Sequence, residues 1–238
     1  MQAETSTQGS SLLLAAEVAK NGFAITPPVF SGRELEAVLS DLAESNLHRS
    51  RAGARHILSH SSVAALASDS RLLSIAKDVL GPNAIPFRCT LFDKSLTANW
   101  LVVWHQDTAL PLRQRVESSG WGPWSIKDGV NYAHAPSAAL EQVLALRLHL
   151  DDSAEDNGPL RILPDTHTLG VLTDERIHDL SIGRRHVDCT VESGGVLAMR
   201  PLVLHASSKS RSGRPRRVLH FEYATCTAIA SPLELLAP

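Results

Sequence analysis

The chain has 238 residues, with 23 Lys and Arg against 25 Asp and Glu and a formal net charge of −2. This balance gives no general attraction to nucleic acid or to an anionic membrane surface, so we expect neither partner. The apolar stretch from Leu12 to Ala16 is far shorter than the roughly 20 residues of a membrane-spanning helix. Cys89, Cys189 and Cys226 are odd in number and widely spaced, which favours reduced thiols in a cytoplasmic protein.

The first third of the sequence predicts helices. Apolar residues recur at helical spacing over residues 11–21, 31–43, 61–67 and 71–80. Ser31 is the expected N-cap of the second helix, and a short strand is expected over residues 23–26. We expect residues 1–238 to form one domain, in which a mostly helical part over residues 1–82 packs on a core over residues 83–226.

After Pro82 the sequence changes to short segments rich in β-branched and aromatic residues. Strands are expected over residues 85–93, 100–104, 144–150, 160–163, 195–199 and 218–223. Residues 108–135 show no clean period, which predicts a long loop of the kind that often carries function. Helices followed by many short strands indicate a β sandwich or barrel core.

The triplet His105-Gln106-Asp107 follows directly after an expected strand. Side chains two positions apart on a strand point to the same face, so His105 and Asp107 can bind one ion together. His205, which follows another apolar segment, is the best candidate for a third ligand. Two histidines and one carboxylate on one face of a metal form the facial triad of non-haem Fe(II) oxygenases.

A second triplet of the same kind, His149-Leu150-Asp151, also lies at the end of an expected strand. Periodicity alone does not reject it as the metal site. However, Asp151 opens into an acidic turn, where carboxylates are ordinary surface residues, whereas Asp107 leads into an aromatic segment suited to form a site wall. The residues therefore favour the first triplet.

Five basic residues follow His205 within residues 209–217. They fit a solvated loop, a nucleic-acid surface, or a strand in which one arginine points inward and grips a carboxylate bidentately. Arg216 shares a strand face with His220, and Arg217 shares the opposite face with Leu219. The residues alone leave open which face is inside, and His220 is interpreted as a surface or hydrogen-bonded histidine.

Several of these motifs together resemble the phytanoyl-CoA dioxygenase family of Fe(II)- and 2-oxoglutarate-dependent oxygenases. The matching residues are Phe92-Asp93-Lys94, Asn99-Trp100, Trp104-His105-Gln106-Asp107, Asn157-Gly158-Pro159-Leu160, and His205-Ala206-Ser207 with Arg216 eleven positions after His205. The resemblance covers most of the chain. It departs at Pro164-Asp165-Thr166-His167, where the family commonly has Pro-Gly-Ser-His.

The resemblance implies a mainly β fold with flanking α-helices, built on a double-stranded β-helix or cupin-like jelly roll. It implies that His105, Asp107 and His205 hold iron as the catalytic centre, and that Arg216 and Ser207 bind 2-oxoglutarate. The further candidates are Thr90 and Lys94 for the cosubstrate pocket, and Arg113, Trp121 and Trp124 for substrate contacts.

The resemblance also implies that 2-oxoglutarate and O2 are consumed and that succinate and CO2 are released as a bound small molecule is oxidised. Asp107 favours hydroxylation or another such oxidation, because related halogenases carry a small residue there. The alternative is a non-oxidative, metal-binding cupin-like protein, an isomerase or small-molecule binder, which would give Arg216 and Ser207 no role. A nucleic-acid demethylase is disfavoured by the slightly acidic net charge.

Overall fold

Four helices precede most of the strands in the computed structural model, which describes residues 13–50, 53–95 and 98–238. They are α1 over residues 13–21, α2 Gly32–Glu44, α3 Ser61–Ala67 and α4 Ser70–Leu80. Residues 11 and 12 of the first predicted helix lie outside the described residues. Ser31 caps α2 as predicted, because its backbone N–H and its hydroxyl both donate to Glu34 at 2.7 Å.

The described residues include thirteen strands, and ten of them form two facing sheets. They are β1 Phe23–Ile25, β2 Gly53–Ala54, β3 Ile85–Lys94, β4 Val102–His105, β5 Ala109–Leu112, β6 Trp124–Lys127, β7 Val130–His134, β8 Val143–His149, β9 Leu160–Ile162, β10 Val187–Cys189, β11 Val196–Met199, β12 His205–Ser207 and β13 Arg216–Ala224. The major sheet has the order β1-β11-β8-β13-β3-β2, and the minor sheet has the order β10-β9-β12-β4. All pairs in both sheets are antiparallel, as in a jelly roll.

The helices α1 to α4 cover the outer face of the major sheet. Leu146 and Leu148 of β8 and Leu219 and Phe221 of β13 are fully buried in the same apolar cluster as residues of α2 and α4. Burial of each such side chain stabilises the fold by about 2 kcal/mol. Because side chains alternate along a strand, the residues between these apolar ones face the minor sheet. This alternation decides which side chains of β8 and β13 reach the space between the sheets.

The prediction of a long loop over residues 108–135 is wrong. β5, β7 and β6 form a third antiparallel sheet in that order. Leu110 and Leu112 are buried in a cluster with Leu233 and Leu235 near the C-terminus, and Leu112 forms a β-bridge with Leu235. The strands are short, and Leu112 bridges to Leu235, 123 residues further along the chain (235 − 112), so no local period marks them in the sequence.

Two further helices complete the described residues, α5 Ser137–Leu140 and α6 Asp174–Gly183. The sequence analysis predicted neither of these helices and also missed β2, β10 and β12. Asp165, at the position where the family commonly has glycine, adopts a left-handed conformation with φ of 62° and pairs with Arg184. Aspartate tolerates this conformation better than most residues. No helix in the described part of the chain combines the length and apolarity that a membrane span requires.

Candidate active site

Two neighbouring strands of the minor sheet bring His105 and His205 together. The register of β4 and β12 pairs His205 with His105, and the centroids of the two imidazole rings lie 4.2 Å apart. Asp107, two residues after His105, completes the group: its carboxylate oxygens lie 3.5 Å from Nε2 of each histidine. One ligand atom from each of the three residues falls within 4.8 Å of the others, which is close enough to share one metal ion.

The backbone fixes the tautomer of both histidines. Nδ1 of His105 lies 2.9 Å from the carbonyl oxygen of Val103, and Nδ1 of His205 lies 2.9 Å from that of Val203. Because a carbonyl only accepts, Nδ1 carries the proton in both rings and Nε2 presents its lone pair to the cluster. Such contacts orient histidine ligands in metal sites.

Gln106 faces the other way and anchors the segment that carries Asp107. Its side-chain amide donates to the carbonyl oxygens of Gly170 and Leu202, at 2.9 and 2.7 Å, and its oxygen accepts from the backbone N–H of Leu172. The backbone N–H of Asp107 donates to Pro201. These bonds hold the acid beside the two rings although it lies beyond the end of β4.

The electrostatics of the three residues suit a metal cation. Burial lowers the pKa of His205 to about 4, so this ring is neutral at physiological pH. Burial also lowers the pKa of His105, but hydrogen bonding and charge from Asp107 outweigh it and raise the pKa above its ordinary value. Burial would raise the pKa of Asp107, yet the neighbouring His205 and His105 hold it well below its usual range. The site therefore offers an ionised carboxylate.

The second triplet, His149-Leu150-Asp151, contributes nothing to this group. Asp151 accepts hydrogen bonds from Arg217 through its backbone N–H, Nε and Nη2, at 2.8, 2.8 and 2.6 Å. Nδ1 of His149 donates to the carbonyl oxygen of Arg147. Over the described residues, His105, Asp107 and His205 form the single group of three or more potential metal ligands.

A cavity of about 120 Å³ opens from the three residues into the space between the sheets. Arg216, at the start of β13, lines it and is only 4% exposed. Its buried Nε has no hydrogen-bond partner within the described residues, and burial lowers its pKa to about 9. Arg217 points the opposite way, toward Asp151. The two adjacent arginines thus have different environments, one enclosed beside the cavity and the other paired outside it.

Lys94 lies opposite Arg216 on β3 and is also buried. Its Nζ donates to the hydroxyl of Ser207 at 3.2 Å and to the carbonyl oxygen of Ser208 at 2.7 Å. Burial, with the charge of Arg216, lowers the pKa of Lys94 to about 7.

Gly158 has a φ of 71°, and a Cβ there would lie 2.4 Å from the Ser208 oxygen, which explains the glycine in this turn.

Thr90 is buried four residues before Lys94 on β3, where its strand partner is His220. The structure thus collects Arg216, Ser207 and Lys94 at one end of the cavity. Thr90 is on the same face of β3 as Lys94 but further from this group.

The three residues predicted to contact substrate lie outside the lining of this cavity. Arg113 is exposed and pairs with Glu234 at 3.2 Å. Trp121 is buried in the apolar cluster of the third sheet. Trp124 packs against the same cluster beneath Arg115. None of them lines the cavity.

The sequence analysis missed three charged residues near the cavity, Arg88, Arg147 and Glu222, and gave His220 no role in the site. Arg147 and His220 lie side by side on β8 and β13, with Arg147 Nη1 donating to His220 Nδ1 at 3.1 Å. Arg88 and Glu222 form a buried ion pair on β3 and β13. Arg147 could have been predicted from the sequence, because a lone arginine in the apolar strand from Leu144 to Leu150 must face something polar.

A jelly roll that joins two histidines and one aspartate at the end of its minor sheet defines the class of non-haem iron proteins with a facial triad. The chain belongs to the phytanoyl-CoA dioxygenase family, whose sequence model matches residues 18–218. The family and the jelly-roll fold predicted from the sequence are therefore confirmed.

One curated relative and two solved structures show how this chain compares with known proteins. L-proline trans-4-hydroxylase from Streptomyces griseoviridis is 26% identical over 145 residues, 49% of this chain and 52% of the relative. The match thus spans about half the length of that protein.

EctD from S. alaskensis, solved with 2-oxoglutarate and 5-hydroxyectoine, is 19% identical, covers 88% of this chain and 74% of its own, and has a TM-score of 0.68. The epimerase SnoN from nogalamycin biosynthesis, solved with Fe3+, α-ketoglutarate and nogalamycin RO, is 18% identical, covers 97% and 96%, and has a TM-score of 0.70. At these identities the two structures establish the fold.

Proposed function

We propose that this chain is an Fe(II)- and 2-oxoglutarate-dependent oxygenase that hydroxylates a small organic molecule in the cytoplasm. The observation that carries the proposal is the joint placement of the His105, Asp107 and His205 group and the enclosed, unpaired guanidinium of Arg216 in one cavity. A metal-binding protein without 2-oxoglutarate would leave that buried charge without a partner, which is costly.

The three residues fit Fe(II) in number and kind. Two neutral imidazoles and one carboxylate on one face of the ion leave its other coordination positions open. Bound Fe(II), with 2-oxoglutarate and O2, supplies the oxidising chemistry and releases succinate and CO2. The chain holds both Nε2 atoms toward the ion through the Nδ1 bonds to Val103 and Val203.

The far carboxylate of 2-oxoglutarate is held by Arg216, with Lys94 and Ser207 beside it. A guanidinium binds a carboxylate through two parallel charge-assisted hydrogen bonds, and the unpartnered Nε of Arg216 leaves such an edge available. Lys94 already donates to Ser207, so its position is fixed before the cosubstrate arrives. Thr90 contributes to the same wall from β3.

The substrate is a small molecule, and hydroxylation is the reaction that Asp107 favours. The relative from S. griseoviridis is an L-proline hydroxylase, so free L-proline is the first compound to test. The three cysteines Cys89, Cys189 and Cys226 are free thiols, which supports a reducing compartment.

The test is an anaerobic titration of the purified chain with Fe(II) and then 2-oxoglutarate, followed by a screen for succinate release in air with L-proline and other metabolites. We expect one equivalent of Fe(II), 2-oxoglutarate binding that depends on the metal, and succinate release stimulated by at least one compound. Stoichiometric metal binding without any affinity for 2-oxoglutarate would contradict the proposal and favour a non-oxidative role.

A further inference from the structure

The cavity holds more buried positive charge than the proposed cofactors require. Three guanidinium groups line it, those of Arg88, Arg147 and Arg216. The carboxylates near them are those of Asp107 and Glu222, so one positive charge is in excess even before Lys94 is counted. Fe(II) and the 2-oxoglutarate dianion carry opposite charges of equal size, so their binding leaves this excess unchanged. A buried charge without a partner is costly, which points to an anionic substrate.

The arginine that meets this anion must lie away from the cosubstrate. Along β13, Arg216 pairs with Lys94 at one end, and Glu222 pairs with Arg88 at the other. Six residues separate these two rungs, about 20 Å of extended strand at about 3.3 Å per residue. This spacing separates the backbone positions of the two arginines, and a five-carbon dicarboxylate held between Arg216 and the metal occupies the Arg216 end of the cavity. Arg88 is therefore left for another ligand.

Arg147 is a weaker candidate than Arg88. It lies on the rung between them, where its Nη1 donates to His220 Nδ1 at 3.1 Å. Its guanidinium carbon lies 5.2 Å from the centre of the Phe92 ring. These contacts place Arg147 under the middle of the cavity. The positive charge of Arg147 attracts an anion in the cavity over a distance, and Arg147 need not contact that anion.

Arg88 has the geometry of an oriented carboxylate receptor. Its Nε pairs with Glu222 and its Nη1 donates to the hydroxyl of Tyr132 at 3.4 Å. No partner of its Nη2 occurs among the residues that the structure describes. The side chain of Arg88 is 17% exposed and lines the cavity, whereas that of Glu222 behind it is 5% exposed. The arginine thus faces the cavity, and the glutamate supports it from behind.

Tyr132 extends this arrangement away from the iron side. Its hydroxyl lies 3.0 Å from Nε2 of His56, and Nζ of Lys127 lies 4.8 Å from the centre of its ring. The tyrosine hydroxyl accepts from Arg88 Nη1, and its own position is fixed by neighbours on two sides, so it helps to orient the guanidinium. A guanidinium held on both sides in this way presents its remaining N–H groups to a carboxylate in a fixed direction.

We propose that Arg88, oriented by Glu222 and Tyr132, recognises a carboxylate of the substrate, so that the substrates of this chain are small carboxylic acids. The inference rests on the proposed function and names the substrate class for the same cavity. Arg88 then acts as a specificity-determining residue: it selects molecules with an acid group and sets which carbon faces the metal.

The test uses free L-amino acids, L-proline included, and short aliphatic carboxylic acids, each matched with its primary amide. Binding is measured by calorimetry without O2 on the chain loaded with Fe(II) and 2-oxoglutarate, and succinate release is measured in air. We expect acids to bind and to stimulate release, with amides at least about 100-fold weaker, since a site built for one polar group rejects an analogue that lacks it.

The informative variant removes both charges of the pair, Arg88→Gln with Glu222→Gln, so that no carboxylate is left buried alone. We expect the preference for acid over amide to fall to within about tenfold, through weaker binding of the acid on the scale of a truncated charge pair. Arg88→Lys should recover part of the preference, because lysine keeps the charge without the planar fork. Arg217→Gln, on the outer face of β13, is the matched control and should keep the full preference.

A purely structural role for the pair would weaken acid and amide equally and leave their ratio unchanged, which would overturn the inference. Amides that bind as well as acids, or a panel in which no carboxylic acid binds, would also overturn it. These outcomes are separate from failure of the proposed function, which would appear as loss of Fe(II) or 2-oxoglutarate binding in the unmodified chain.

Discussion

The chain contains two triplets of the same pattern, His105-Gln106-Asp107 and His149-Leu150-Asp151, and they form very different structures. In both, Nδ1 of the histidine donates to the carbonyl oxygen two residues earlier. The two histidines thus make the same backbone hydrogen bond. The two acids have different partners: Asp151 accepts hydrogen bonds from Arg217, whereas the carboxylate of Asp107 lies beside two imidazole rings.

The sheet that carries each triplet explains the rest of the difference. His105 ends a strand of the minor sheet beside β12, which brings His205 into register with it. His149 ends a strand of the major sheet, where its cross-strand partner is the apolar Val218. A triplet becomes a metal site only when a third ligand lies opposite and no cation neutralises its acid. The two adjacent arginines differ in the same way: Arg217 pairs with Asp151, whereas Arg216 lines the cavity.

The largest expected effect is the loss of metal binding in one triplet and not in the other. His105→Ala and His205→Ala should each abolish stoichiometric Fe(II) binding, because two remaining ligands hold the ion loosely. His149→Ala should retain it. Anaerobic iron titration gives the stoichiometry, and near-UV circular dichroism shows that each variant is folded. Iron bound by the His105 variant but lost from the His149 variant would reverse the assignment.

The next effect separates the two arginines. Arg216→Ala should weaken 2-oxoglutarate binding by about 2–5 kcal/mol, the range for truncating one member of a buried charge pair. Arg217→Ala should change the affinity little, since that side chain faces Asp151. The measurement is the dissociation constant of 2-oxoglutarate with saturating Fe(II) and no O2. Loss of binding in the Arg217 variant alone would mean that Arg217 holds the cosubstrate.

The sequence predicted what depends on local pattern. α2, α3 and α4 are found within a residue of their expected bounds, because caps and helical spacing are local features. The family and fold are confirmed, and the expected enzyme class and cofactors agree with the comparisons.

What the sequence could not predict depends on partners far along the chain. β5 to β7 are stabilised by each other and by the C-terminal segment around Leu235, so their sequences show no period of their own. The pairing of Arg88 with Glu222 follows from the register of β3 and β13, which are more than 100 residues apart. The residues alone left open which face of β13 points inward. The helices cover Leu219 and Phe221, so the opposite face, with Arg216, points toward the space between the sheets.

Lys94 offers a pH test of the cosubstrate end of the cavity. Its pKa is lowered to about 7 by burial and by the charge of Arg216, and a bound dianion favours the protonated form. Affinity for 2-oxoglutarate should therefore be constant well below pH 7 and fall as the pH rises above it, by at most about tenfold per unit. Lys94→Met should weaken binding at low pH and flatten this dependence. An unchanged pH profile in the methionine variant would exclude Lys94 from the cosubstrate pocket.

The smallest effect is expected in the third sheet. Arg113→Ala removes an exposed side chain paired with Glu234, an interaction worth about 0–1 kcal/mol at a surface. Fe(II) binding, 2-oxoglutarate binding and substrate-stimulated succinate release should all stay within about twofold of the unmodified chain. A selective rise in the KM of a substrate would return Arg113 to the substrate contacts expected from the sequence.

The most direct test of the contrast between the triplets compares their acids, Asp107→Ala and Asp151→Ala, by anaerobic Fe(II) titration under identical conditions. The account predicts that Asp107→Ala loses stoichiometric Fe(II) binding, because the site then lacks its one anionic ligand. Asp151→Ala should bind one equivalent of Fe(II) as before, since that carboxylate serves only Arg217. Full iron binding by the Asp107 variant, together with loss in the Asp151 variant, would contradict the account.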